Sequence, residues 1–332
     1  MLRDSIDYKG TAVGKLFRRF LFPTVMGMVF SAVFIITDGI FVGRGIGSDA
    51  LAAVNLTAPL FTLGTGLGLM FGMGGSVVAS VNLAQGKRRV AQINITQSLF
   101  VPALLIVLLS ALLILCHKPL LLLLGTPPEL MVPAREYLVW FTLFLTPLAV
   151  FNILMFIVRL DGAPRFAMAC NIMAASINIV LDYLFIFEFG WGLAGAAIAT
   201  GVGYIAGSGV MLRYMLRSSR TLHFVKLKTS YKSLRLTARN LGYMTYIGFP
   251  ALLSELAISC LMIVGNYTFI RYTGKDGVAA DYFPPCGVCR QVMLEFCAPD
   301  FKIYMGKQDG TYLETELRDF MPYGFRASEY MK

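Results

Sequence analysis

Seven long apolar runs fill most of the first 270 residues, at about 17–41, 51–81, 95–116, 136–158, 166–188, 191–213 and 241–270. Each reaches the roughly 20 residues that a helix needs to cross a hydrocarbon core about 30 Å thick. In lipid no water can pair with exposed backbone groups, so runs of this length have one local solution, the α-helix. The chain is 57% hydrophobic and only 14% charged, outside the range of ordinary soluble domains. It therefore reads as an all-α, multi-pass membrane protein with the lipid bilayer as its first partner. The first run follows Lys15 and continues for more than 20 residues without the short core and small-residue cleavage site of a secretory signal, so it reads as a transmembrane helix.

The net charge of +10 would suggest nucleic acid as partner in a soluble protein. Here the basic residues sit between apolar runs and alternate sharply, which reports topology and excludes a nucleic-acid surface. One set of loops holds Arg3, Lys9, Lys15, Arg18 and Arg19, then Lys87 to Arg89, then Arg159 and Arg165, then a basic stretch from Arg213 to Arg239. The other set holds only Arg44, Lys118, Arg135, Arg271 and Lys275. The N-terminus and the 213–239 connector are expected on the cytoplasmic side of the cell membrane. The connector mixes its charges with Leu222, Phe224 and Leu227, and two readings stay open: an amphipathic helix on the inner leaflet, or a solvated loop. Cys116, Cys170 and Cys260 lie in apolar runs and are expected to be buried thiols rather than a disulfide framework.

A repeat organises the chain. Phe22-Pro23 recurs as Phe249-Pro250, Gly47 as Gly274, and Asp49-Ala50-Leu51-Ala52-Ala53 as Asp276-Gly277-Val278-Ala279-Ala280, all at one offset of 227 residues. Six spans separate the two starts, so both copies enter the membrane in the same direction, as in transporters with two parallel lobes. The expected domains are a six-helix lobe over 1–212, the connector over 213–239, the first helix of a second lobe over 240–280, and a different, polar segment over 281–332.

Ionisable groups inside spans are costly unless paired or facing a wet cavity, which makes Asp38, Asp182 and Glu255 candidates for function. Asn178 and Asp182 are four residues apart, on one face of one helix, so their oxygens can converge on a single ion. Oxygen ligands suit a hard cation such as Na+, and a carboxylate in a partly apolar pocket also suits a proton. Counted along the helices, Asp182, Thr200 and Asp38 all fall in the outer half of the membrane. Gly64, Gly68 and Gly72 in the second run have the spacing that lets two membrane helices approach closely, and no Lys-Ser or Lys-Thr follows to make a phosphate loop.

Several motifs in order, Asp38-Gly39-Ile40-Phe41-Val42-Gly43, Asn82-Leu83-Ala84-Gln85-Gly86-Lys87, Arg159-Leu160-Asp161-Gly162, and Asn178-Ile179-Val180-Leu181-Asp182 followed by Gly195 to Thr200, resemble those of the multidrug and toxic compound extrusion (MATE) family over about residues 10–280. The resemblance implies a transporter, not an enzyme, that exports cationic or amphipathic small molecules in exchange for Na+ or H+. It places Asp38, Asn178, Asp182 and Thr200 at the N-lobe cation site, with Glu255 as a second candidate. It also implies twelve helices in two lobes, so a chain whose second lobe ends after one helix is expected to be truncated and unable to transport alone, unless two N-lobes pair.

The last 52 residues read differently. Cys286 and Cys289 are spaced to give two thiolates to one Zn2+, and the stretch from Phe283-Pro284-Pro285-Cys286 to Phe325 resembles the C-terminal part of a homotetrameric cytidine deaminase, a short α/β zinc-enzyme fragment in which Phe325 would lie near the nucleoside pocket. The signature also demands an upstream His-x-Glu or Cys-x-Glu, and this chain contains none. Without that glutamate and third ligand, deamination of cytidine to uridine is not expected, and the cysteine pair binds metal, forms a disulfide or goes unused. The abrupt change after Ala280 reads as a chimeric junction.

Overall fold

The structure, a computed structural model, describes residues 13–219, 221–227, 230–273, 300–306 and 312–320. Two units divide the chain, Met1–Ile263 and Val264–Lys332.

The described residues of the first unit are mostly helical. α1 (Val13–Gly45), α2 (Ser48–Ala84) and α3 (Arg88–Leu115) are long single helices, and a short α4 (His117–Leu123) follows. Next come α5 (Met131–Leu143), α6 (Leu145–Leu160), α7 (Pro164–Tyr183), α8 (Gly192–Arg217) and α9 (Tyr231–Thr273). Six helices are long and apolar enough to cross a membrane, and α5 with α6 makes a seventh span bent by 46°. The expected spans are thus present, but the fourth is not one straight helix. Pro147 has no N–H to bond the Leu143 carbonyl, and its ring crowds that turn, so the helix breaks at Phe144.

α2 packs chiefly on α6 and α3, and α7 on α8 and α1. The α2–α6 contact confirms the glycine reading. A Cβ on Gly64 would meet Leu145 Cδ1 at 2.5 Å, one on Gly68 the Ala149 carbonyl at 2.9 Å, and one on Gly72 Ile153 Cα at 3.1 Å. Gly74 and Gly248 likewise press against the backbones of Met244 and Met70, bringing α9 across α2. Two apolar clusters fill the lobe. One, toward the end that carries Lys87 to Arg89 and Arg159 (the basic end), includes Ile95, Ile153, Ile157 and Met215; the other includes Val42, Leu60, Leu138 and Ile186.

The connector fits neither expected reading. α8 continues to Arg217 and α9 begins at Tyr231, and between them residues 221–227 are extended and pinned to the lobe. Leu222 is fully buried and Phe224 packs edge-on to Phe100 at 5.6 Å. Asp161, only 4% exposed, accepts bonds from Tyr214 Oη (2.9 Å), Ser219 Oγ (3.1 Å) and the backbone N–H groups of Thr221 (3.3 Å) and Leu222 (3.2 Å). From α3, Thr96 Oγ1 accepts from Val225 N at 3.1 Å and Gln92 Nε2 donates to the Thr221 carbonyl at 3.3 Å. Extended backbone at an apolar surface must find such partners, and an amphipathic pattern does not disclose where they are.

The cysteine expectation holds for one residue. Cys170 is buried, whereas Cys116 and Cys260 are exposed, because an apolar run fixes a helix without fixing which face its neighbours cover.

In the second unit, β1 (Lys302–Gly306) pairs antiparallel with β2 (Tyr312–Glu316), with Lys302 opposite Glu316, and one helical turn, α10 (Leu317–Phe320), follows. Asp319 accepts from the Glu316 N–H and from Thr315 Oγ1, both at 3.1 Å, fixing the turn onto the strand.

Candidate cation-binding site

Asp38 lies two turns from the end of α1 and Asp182 one residue from the end of α7. α7 ends in a π-helical turn, Leu184–Glu188, which rewinds the chain so that Ile186 and Phe187 press against Gly45. Phe187 also meets Phe41 edge-on at 5.7 Å. Together these contacts clamp the two helix ends and hold the Asp38 and Asp182 carboxylates against one another. π turns of this kind recur at functional positions because they re-aim side chains without ending the helix.

Asn178 sits one turn before Asp182 on the same face. Its Nδ2 donates to Thr200 Oγ1 at 3.1 Å, and that hydroxyl donates to the Ala196 carbonyl at 3.0 Å. Since the Thr200 hydrogen is committed, Asn178 must present its NH2 to Thr200 and turn Oδ1 away. Asp182 is 0% and Asn178 2% exposed. Yet both oxygens of Asp182, Oδ1 of Asp38 and Oδ1 of Asn178 receive no hydrogen bond. Buried acceptors are almost always satisfied, so a knot of four orphaned oxygens, three of them on carboxylates, has the chemistry of a cation or proton site.

The four residues expected together, Asp38, Asn178, Asp182 and Thr200, are therefore neighbours. Glu255 is not among them. It lies on α9, partly exposed, with its stem against Gly66 of α2. Sequence reasoning missed Tyr137 on α5 and Tyr204 on α8, which stand close to the carboxylates. Nothing in their local sequence separates them from the many other aromatics in the spans.

A cavity of about 440 Å³ opens within the lobe between α1, α2, α6, α7 and α8. Asn178, Thr200 and Tyr204 border it at the carboxylate end and Arg159 at the basic end, with Phe34, Phe61 and other apolar groups between. Among the described residues no group of three or more His, Cys, Asp or Glu is placed to hold a metal ion. The expected zinc ligands Cys286 and Cys289, the nucleoside-pocket candidate Phe325, and the second copies of the repeat from Gly274 to Ala280 lie outside the described residues.

Residues 23–184 match the MatE family profile. The multidrug export protein MepA of Staphylococcus saprophyticus is 28% identical over 277 residues, covering 82% of this chain and 59% of the relative. The protein of the same name from Staphylococcus aureus is 27% identical over 285 residues with the same coverage. The chain thus spans about three-fifths of the length of the curated relatives it matches. A MOP-superfamily transporter from Pyrococcus furiosus superposes with a TM-score of 0.66 at 26% identity, over 78% of this chain and 56% of that one. An outward-facing multidrug resistance MATE transporter gives the same values. The two curated relatives are named multidrug export proteins and the two solved structures transporters, in line with the reading of the membrane part. Motifs, family profile and fold point the same way: the membrane part of this chain is a multi-pass helical protein similar to the MATE transporters.

Proposed function

We propose that this chain carries the cation-coupled lobe of a multidrug efflux antiporter, with Asp38, Asn178, Asp182 and Thr200 as the coupling site. The observation that carries the reading is the knot of orphaned oxygens on Asp38, Asp182 and Asn178, beside a cavity of about 440 Å³. Na+ or H+ arriving there cancels the mutual repulsion of two carboxylates held together in low dielectric. The ion reshapes the packing of α1 on α7, and through Asn178 and Thr200 that change reaches the wall of the ligand cavity. Coupling then follows from differential affinity: an ion that favours one arrangement of the lobe weakens the drug that favours the other.

Cationic and amphipathic compounds fit the cavity as substrates, in keeping with relatives named as multidrug exporters. The alternating Lys and Arg content of the loops supports a cytoplasmic basic end in the cell membrane. Alternating access needs two lobes around one cavity, supplied by a second lobe or by a second copy of this one. The described residues provide one lobe and α9, so ligand and ion binding is the activity to test on this chain. Glu255, beside Gly66 on the α2–α9 contact, is a second candidate for ion binding. The deaminase reading of 281–332 gains no supporting observation and forms no part of the proposal.

The test is ethidium binding to the purified chain in nanodiscs, titrated with NaCl at fixed pH and then with acid at fixed salt. One of the two titrations should weaken binding, and Asp182→Asn and Asp38→Asn should each abolish that response while ethidium still binds. An unchanged response in both variants refutes the coupling role.

A further inference from the structure

Arg159, in the last turn of α6, borders the basic end of the lobe cavity. Its guanidinium lies 5.8 Å from the centre of the Phe156 ring. Among the described residues no carboxylate or carbonyl pairs with it. The carboxylate closest in sequence cannot serve, because both oxygens of Asp161 are filled by Tyr214, Ser219, Thr221 and Leu222. The amide nitrogens of two polar neighbours in the cavity wall are engaged within the lobe. Asn171 Nδ2 donates to the Gly27 carbonyl (3.0 Å) and Ser31 Oγ (3.2 Å), and Asn152 Nδ2 donates to the Leu148 carbonyl (3.1 Å).

A partly buried cation with its donors unused beside an apolar wall is costly unless an oxyanion meets it. A guanidinium matches the two oxygens of a carboxylate or phosphate with parallel hydrogen bonds. The body of the cavity is apolar, and its volume of about 440 Å³ suits a drug-sized molecule. Leu148 and Arg159, both in the cavity wall, are eleven residues apart along α6, about 16 Å, which leaves room for one elongated ligand.

We infer that this cavity accepts amphipathic molecules bearing a carboxylate or phosphate, with the oxyanion on Arg159 and the apolar body between the aromatic rings. The inference rests on reading the lobe as the ligand-binding part of an exporter, and it adds acidic amphiphiles and zwitterions to the cationic compounds proposed above. The oxyanion comes either from a small-molecule carboxylate or from a lipid headgroup, and the two sources are separable.

The full chain in phosphatidylcholine nanodiscs is titrated with 11-(dansylamino)undecanoic acid and with its methyl ester, empty nanodiscs correcting for partition. The acid should bind about tenfold or more tightly than the ester, and Arg159→Gln should erase that difference by weakening the acid alone. Displacement of the acid by lysophosphatidic acid but not by monoolein assigns lipid phosphate to the same site; displacement by neither keeps it for small-molecule carboxylates. Equal binding of acid and ester by the unaltered chain overturns the inference, as does a preference that survives in Arg159→Gln. Should that variant lose both probes by misfolding, Arg159→Lys decides: a monodentate ammonium should shrink the preference, and an unchanged preference counts against a guanidinium site. Ester binding without acid preference sinks the oxyanion site and leaves the exporter reading to the Asp182→Asn titration.

Discussion

Replacing Asp161 by Ala should free the connector from the lobe. The carboxylate takes four hydrogen bonds, three on Oδ1 from Ser219 Oγ, Thr221 N and Leu222 N, and one on Oδ2 from Tyr214 Oη. Hydrogen bonds to a charged group contribute about 1.5–3 kcal/mol each, but partners that act as one unit are not additive. Water reaching the opened turn also re-satisfies some of the donors. Local opening should therefore become easier by about 3–5 kcal/mol, the range for breaking a buried charged network. Asp161→Asn keeps an oxygen for the three donors of Oδ1 and turns an amide toward Tyr214, whose hydroxyl can accept, so about 1–2 kcal/mol is expected. Tyr214→Phe removes the Oδ2 partner, about 1 kcal/mol. Hydrogen–deuterium exchange at the Thr221 and Leu222 amides reads the opening directly, because these are the donors concerned. At about 1.4 kcal/mol per tenfold, exchange should quicken by about 100-fold or more in Asp161→Ala and about fivefold in Tyr214→Phe. Equal exchange in Asp161→Ala and the unaltered chain would refute the view that this carboxylate holds the strap.

Three further outcomes are expected. Gly68→Ala should destabilise the lobe by about 1–3 kcal/mol, since its Cβ meets the Ala149 carbonyl at 2.9 Å, whereas Gly209→Ala, with nothing within 4 Å, should be neutral or stabilising by about 0.5–1 kcal/mol. Detergent-titrated unfolding compares them, and equal effects contradict the close α2–α6 approach. Thr200→Val takes away the acceptor that orients Asn178, so the ion response of ethidium binding should shift by about tenfold in midpoint, and an unmoved midpoint argues against Asn178 as a ligand. In intact cells a membrane-impermeant maleimide should modify Cys116, read by mass spectrometry of its peptide, and spare buried Cys170. Protection of Cys116 until the cells are opened would reverse the proposed orientation.

How much of the site was legible varies by residue, for a physical reason. Asp38 and Asp182 stand out because a carboxylate within an apolar run is costly anywhere in lipid, whatever the fold. Asn178 followed from its spacing to Asp182 on one helix face. Tyr137, Tyr204 and the isolated guanidinium of Arg159 were not legible as site groups, because aromatics are common in spans and an arginine beside a loop reads as topology. The bend at Phe144 did leave a signal, Pro147 within an apolar run. The pinned connector left a weaker one, a lone Asp161 at a turn whose four partners lie more than fifty residues away.

The sequence by itself determined that seven segments read as membrane-spanning helices, where α2 permits a close neighbour, and which carboxylates lie at a cost within apolar runs. Each of these follows from the cost of polar groups in lipid or from the period of one helix, and both are local. Only the tertiary structure decided that Asp38 meets Asp182, that Glu255 stands apart, that Cys116 and Cys260 face outward, and that residues 221–227 lie strapped across the lobe. Those outcomes depend on which helix faces which, and that is set by packing of α1 on α7 and α2 on α6, contacts between residues too distant in sequence for any single segment's pattern to specify.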